Sequence, residues 1–101
     1  MRENDETWSG YWLFLLGEFS LTAPGGQAIA ITGKKNRALL AVLALSPAQT
    51  MTRERLAGLL WGASGEDQAR NSQRQSLAVL RKELGPDGSK LIRSLDESLR
   101  L

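Results

Sequence analysis

From Ser64 to Leu84 the chain spells out one long helix whose two faces differ in chemistry, so the fold must bury one face and leave the other wet. Ser64 and Asp67 form an S-x-x-D start, in which hydroxyl and carboxylate suit the unsatisfied amide donors of a first turn. Gly85-Pro86 supplies the stop, a residue at ease with a left-handed backbone followed by one that cannot continue the helix. At about 100° per residue, Ala69, Leu77, Leu80 and Leu84 fall on one stripe, with Gln73 and Ser76 in the same sector. The opposite face carries Asn71, Gln75, Ala78 and Lys82, flanked by Arg70, Arg74 and Arg81. Arg, Asn and Gln are the side chains that form paired hydrogen bonds with guanine and adenine edges, and a small apolar residue fits a thymine methyl. A solvated surface helix carries a similar face, so the rest of the chain has to distinguish the two.

A chain of 101 residues holds one small domain with a modest core. It has no Cys and no His. Disulfide frameworks, thiolate or imidazole metal sites, and general bases built on those groups are therefore excluded, and no cofactor is expected. The longest apolar run, Ala38 to Leu45, is eight residues, too short to span a bilayer. The acidic start, Met1 to Glu6, does not have the look of a signal peptide, and a cytoplasmic protein without membrane association is the expectation.

Net charge is only +2, but it is unevenly spread. Residues 1–33 carry Arg2 against Glu3, Asp5, Glu6 and Glu18; residues 34–93 carry eleven Lys or Arg against five Asp or Glu. The basic excess falls on the helical part of the chain, the distribution that nucleic-acid binding requires.

In chain order, Met1 to Tyr11 reads as a loose lead-in, and residues 12–101 as the domain. Residues 12–16, 18–22 and 27–32 read as three short strands, the last two joined by an Ala23-Pro24-Gly25-Gly26 turn. A first helix runs from Lys34 to Ser46 and is stopped by Pro47; its centre is apolar nearly all round and should be the buried pillar. Lys34, Lys35 and Arg37 crowd its N-terminus, where solvation is the simplest way to tolerate them. Gln49 to Met51 reads as an extended link. Thr52 can cap a second helix, Arg53 to Trp61, with Leu56, Leu59 and Leu60 as its apolar side and Trp61 as a core aromatic. Trp61-Gly62 closes it, and the short turn Ala63-Ser64-Gly65 then leads into the long helix, making a helix-turn-helix. Two strands, 91–95 and 98–101, follow it with an Asp96-Glu97 tip and form a wing.

At this level the chain resembles the OmpR/PhoB-type winged helix. The resemblance is carried, in order, by Leu15-Leu16-Gly17, Lys34-Lys35-Asn36-Arg37-Ala38-Leu39-Leu40-Ala41, Thr52-Arg53-Glu54-Arg55-Leu56, Leu60-Trp61-Gly62, Ala69-Arg70-Asn71 and Leu80-Arg81-Lys82-Glu83-Leu84-Gly85. It is nearest to the version that opens the antibiotic-regulatory-protein (SARP) activators. The resemblance implies an α+β winged helix-turn-helix: a three-stranded N-terminal antiparallel sheet, three helices and a two-stranded C-terminal wing. It also implies sequence-specific binding of double-stranded DNA in transcription regulation through the 66–84 recognition helix, as part of a signal-transduction protein and not as an enzyme. RNA polymerase and a C-terminal activator domain are the further partners implied, the chain then being the first domain of a longer protein.

The expected base-facing residues are Asn71, Arg74, Gln75 and Ala78, and the expected phosphate-facing ones Arg53, Arg55, Arg70, Arg81, Lys82 and Arg93. Positional likeness to the family alone would set Asn71 beside Arg81 on the phosphate side. Three departures stand out. Ala78 and Val79 occupy sites where the family often has cations. Gln73 sits where it has an apolar core residue. The wing reads Asp96-Glu97-Ser98-Leu99-Arg100-Leu101 where the family has a Gly-x-Gly-Tyr-Arg-Leu-like pattern. An acidic tip repels phosphate, and the alternative it raises is a winged helix kept for protein contacts in a larger signalling protein.

Overall fold

The computed structural model describes residues 5–8, 11–14 and 19–101. Strands β1 (Asp5–Trp8), β2 (Tyr11–Phe14), β3 (Ser20–Thr22) and β4 (Ala28–Ile29) form one antiparallel sheet in chain order. Helices α1 (Lys34–Leu45), α2 (Arg53–Trp61) and α3 (Glu66–Gly88) form the helical body. A second antiparallel sheet has β5 (Thr50–Thr52) and β6 (Arg93–Ser94) on either side of β7 (Ser98–Arg100). The architecture is the expected α+β winged helix-turn-helix, with one strand more in each sheet.

Strands β2, β3 and β7 and all three helices contribute to one core. Leu13 of β2, Leu39 and Leu43 of α1, Leu56 of α2, Leu80 of α3 and Leu99 of β7 are all essentially inaccessible to solvent. In the first sheet the register Leu13↔Leu21↔Ile29 lines up an apolar row, because residues directly opposite across an antiparallel pair share a face. On α3 the buried residues are Ala69, Gln73, Ser76, Leu77, Leu80 and Leu84, the same stripe that periodicity selects. Gly85 ends that stripe by leaving helical dihedrals, with φ 82° and ψ 177°.

Five local expectations are corrected. Residues 5–8, assigned to the loose lead-in, pair with β2 as a strand, since pairing and not local alternation holds them. The strand expected over 27–32 shortens to β4, and that over 12–16 is observed as β2, Leu15 and Leu16 lying outside the described residues together with Glu18 of the next strand. The link at 49–51 is partly strand: Thr50, Met51 and Thr52 pair with Arg100, Leu99 and Ser98. At the start of α3, Gly65 (φ 84°) and not Ser64 stands in the capping position, its carbonyl accepting the Ala69 amide at 2.9 Å. Gly65 has room for a Cβ but a backbone that L side chains rarely adopt, so the turn between α2 and α3 depends on glycine conformationally.

The fifth correction is to burial. Leu45 is 61% exposed and Leu59 58% exposed, although both lie in runs assigned to the core. Leu45 is the last residue of α1, where the helix ends. On α2 the buried pair is Leu56 and Ala57, which rotates Leu59 outward and leaves Leu60 and Trp61 partly buried against the core.

Candidate nucleic-acid interface

The helix-turn-helix is assembled by polar contacts at its edges. Thr52 caps α2 as expected, its Oγ1 accepting the Arg55 amide at 3.2 Å. On α3, the Glu83 carboxylate accepts from the Thr32 amide at 3.2 Å to each oxygen and from Thr32 Oγ1 at 2.6 Å. The Thr32 carbonyl accepts from Asn36 Nδ2 at 3.0 Å, and Asn36 Oδ1 accepts from Ser76 Oγ. This chain of bonds fixes α3 against the start of α1 and satisfies the buried Ser76 hydroxyl. Two of the α1 cations are engaged as well as solvated: Lys35 donates to the Leu60 carbonyl, and Arg37 to the Ile31 carbonyl at 3.0 Å.

With its inner stripe buried, α3 presents Asn71, Arg74, Gln75 and Ala78 to solvent, all four in the exposed class. Their spacing of three to four residues gathers them on one side of the helix within two turns, about the length that a major groove admits. Arg70 and Lys82, exposed, flank that face. Arg70 pairs with Asp67 at 2.8 Å, with both side chains largely in water, so the pair is worth little and can be exchanged for a phosphate.

The other expected phosphate contacts divide into two groups. Arg55 and Arg93 are exposed and make no side-chain hydrogen bond among those resolved for the described residues. Arg53 and Arg81 are half-buried and turned toward the wing. Arg81 Nη2 donates to the Ile92 carbonyl at 3.0 Å and to Ser94 Oγ at 3.1 Å. Arg53 Nη1 donates to the Asp96 carbonyl at 2.9 Å. Both guanidiniums thus spend donors on wing backbone.

Sequence reading missed Arg100. In the wing sheet Arg100 lies directly opposite Arg93, so two exposed guanidinium groups project from one face. Like charges opposite one another weaken a strand pair, and an anion between them would reverse that. The available signal was alternation about Leu99, which once buried turns Arg100 outward. The carboxylates Asp96 and Glu97 form the exposed tip, closed by the Leu95 amide donating to the Ser98 carbonyl at 2.9 Å. Between that tip, α2 and the first half of α3 runs a groove of about 770 Å³ lined by charges of both signs, Arg53, Arg70 and Arg74 together with Glu54, Glu66, Asp96 and Glu97.

A family model described as "Transcriptional regulatory protein, C terminal" matches residues 26–97, from just before β4 to the wing tip. No curated protein and no solved structure matches. No helix of the described residues is long and apolar enough to cross a membrane.

Proposed function

Because the chain belongs to the family of transcriptional regulatory protein C-terminal domains and binds DNA in transcription regulation, we propose that its outer α3 face carries the sequence readout. In this reading Arg74 and Gln75 donate to purine edges, Asn71 pairs with an adenine or an adjacent phosphate, and Ala78 meets a thymine methyl. Arg55, Arg70, Lys82, Arg93 and Arg100 meet phosphates and set register without reading sequence. The observation that carries the reading is the division of α3, with every apolar-stripe residue buried and all four base-facing candidates exposed. The alternative of a protein-contact module is not favoured by the family match.

The resemblance to SARP-type activators supports a cytoplasmic regulator in which this domain works beside an activator domain and RNA polymerase. The test is enrichment from a randomised duplex library followed by anisotropy titration of the enriched and scrambled duplexes at two salt concentrations. Enrichment of a common sequence, with affinity falling steeply as salt rises, is the expected result; binding of neither duplex at low salt would remove the reading.

Two further expected outcomes concern the wing. Arg93→Ala and Arg100→Ala should each lower the salt slope by about one unit, as the loss of one phosphate contact does. Asp96→Asn with Glu97→Gln should strengthen binding by about 0.5–1 kcal/mol at low salt and less at high salt, because exposed charges act weakly and over roughly a Debye length. Unchanged affinity at low salt would mean that the tip stays clear of the duplex.

A further inference from the structure

Gln73 is the one amide on the buried stripe of α3, only 4% exposed, and an apolar residue of its size would fill the site without needing a partner. Its Nε2 donates to the Arg53 carbonyl at 2.9 Å. Arg53 opens α2, and its own amide belongs to the first turn, where no intrahelical acceptor exists. That amide donates to the Glu97 carbonyl at 2.9 Å, and its guanidinium reaches the Asp96 carbonyl at 2.9 Å. One continuous path therefore runs from the inner face of α3, through the start of α2, to the tip of the wing. Arg81 makes a second tie from α3 to the wing's base at Ile92 and Ser94.

We propose that Gln73 and Arg53 are positioning residues that strap the wing tip to the recognition helix, and that DNA affinity depends on the helix-to-wing spacing they hold. The proposal rests on the DNA-binding reading above. Its physical basis is preorganisation: two surfaces that must meet one duplex together bind more tightly when their separation is fixed before contact. Gln73 cannot touch DNA itself, because it points inward. Arg53 acts through the two carbonyls it holds, which replaces the phosphate contact expected for it.

The test is Gln73→Leu, which removes the amide while keeping an apolar-sized side chain on an apolar stripe. Three readouts are taken: urea midpoint, amide exchange, and anisotropy on the enriched and scrambled duplexes at two salt concentrations. The expected result is a midpoint equal to or above wild type, faster exchange at the Arg53 and Leu95 amides with Leu80 unchanged, and about tenfold weaker binding to both duplexes. The salt slope should stay the same, since no phosphate contact is lost. Should the leucine variant fail to fold, Arg53→Lys serves the same purpose, keeping the charge but not the guanidinium bond to the Asp96 carbonyl.

Unchanged exchange at Arg53 and Leu95 would overturn the strap. Faster exchange with full affinity would overturn its control of binding, and an affinity loss that merely follows lost stability would reduce it to ordinary core support. If wild type binds neither duplex, the DNA reading fails, and with it the affinity half of the proposal. The exchange measurements would then still decide whether Gln73 holds the wing.

Discussion

Leu80→Ala is expected to cost about 3–5 kcal/mol of folding stability, the upper part of the range for a fully buried leucine that leaves a cavity. Leu80 is inaccessible to solvent and sits among leucines contributed by β2, α1, α2 and β7, so no single element can relax into the space. Domains of this size are stable by only about 5–15 kcal/mol, which makes the loss a large fraction of the whole. Leu43→Ala should behave alike, since Leu43 occupies the same core from α1. Leu45→Ala and Leu59→Ala are the internal controls: both leucines are more than half exposed, and surface changes usually stay within about 0.5 kcal/mol. Urea denaturation followed by circular dichroism measures all four. Equal losses across the set would contradict the phases of α1, α2 and α3.

The second large effect is on recognition. Arg74→Ala should weaken binding to a selected duplex by about 1–3 kcal/mol and flatten the base preference at one or two adjacent positions, as loss of a paired contact to a base edge does. Gln75→Ala should do the same at a neighbouring position. Neither change should alter folding, because both side chains are exposed on the solvent side of α3. Lys82→Ala is the contrasting case, weakening all duplexes alike and lowering the salt slope by about one unit. The comparison requires repeating the library enrichment with each variant. An Arg74→Ala protein that enriches the wild-type sequence with undiminished bias would remove Arg74 from the readout.

What could be read from the chain alone follows from how local each signal is. The boundaries of α2, the Thr52 cap and the buried stripe of α3 were legible because cap chemistry and 3.6-residue periodicity act within a few turns. Even the awkward members of that stripe, Gln73 and Ser76, fell in the right sector; only their partners, Arg53 and Asn36, could not be foreseen. Residues 5–8 and 50–52 are not legible as strands because neither carries a pattern of its own. They become strands by pairing with residues 11–14 and 98–100. Leu59 shows a different limit: periodicity marks a side of a helix, but when Ala57 also qualifies for burial the stripe rotates and one flank is lost to solvent. Arg53 and Arg81 show the same limit for charge. A cation beside a basic face reads as a phosphate ligand until the carbonyls of a distant hairpin turn out to lie closer.

The pairing of β5 with β7 also sets an order of events during synthesis. Thr50 must wait for Arg100, and the Leu101 amide closes the sheet on the Gln49 carbonyl. At ribosomal rates of about 5–20 residues per second, several seconds separate the two strands. For that interval α2 and α3 can exist as nascent helices, but Leu99 has not arrived to close the core and Glu97 has not arrived to meet the Arg53 amide. The helix proposed to read the bases is therefore made well before the strand β7 that holds it in place, and a polypeptide cut short within β7 would emerge with that helix unsupported.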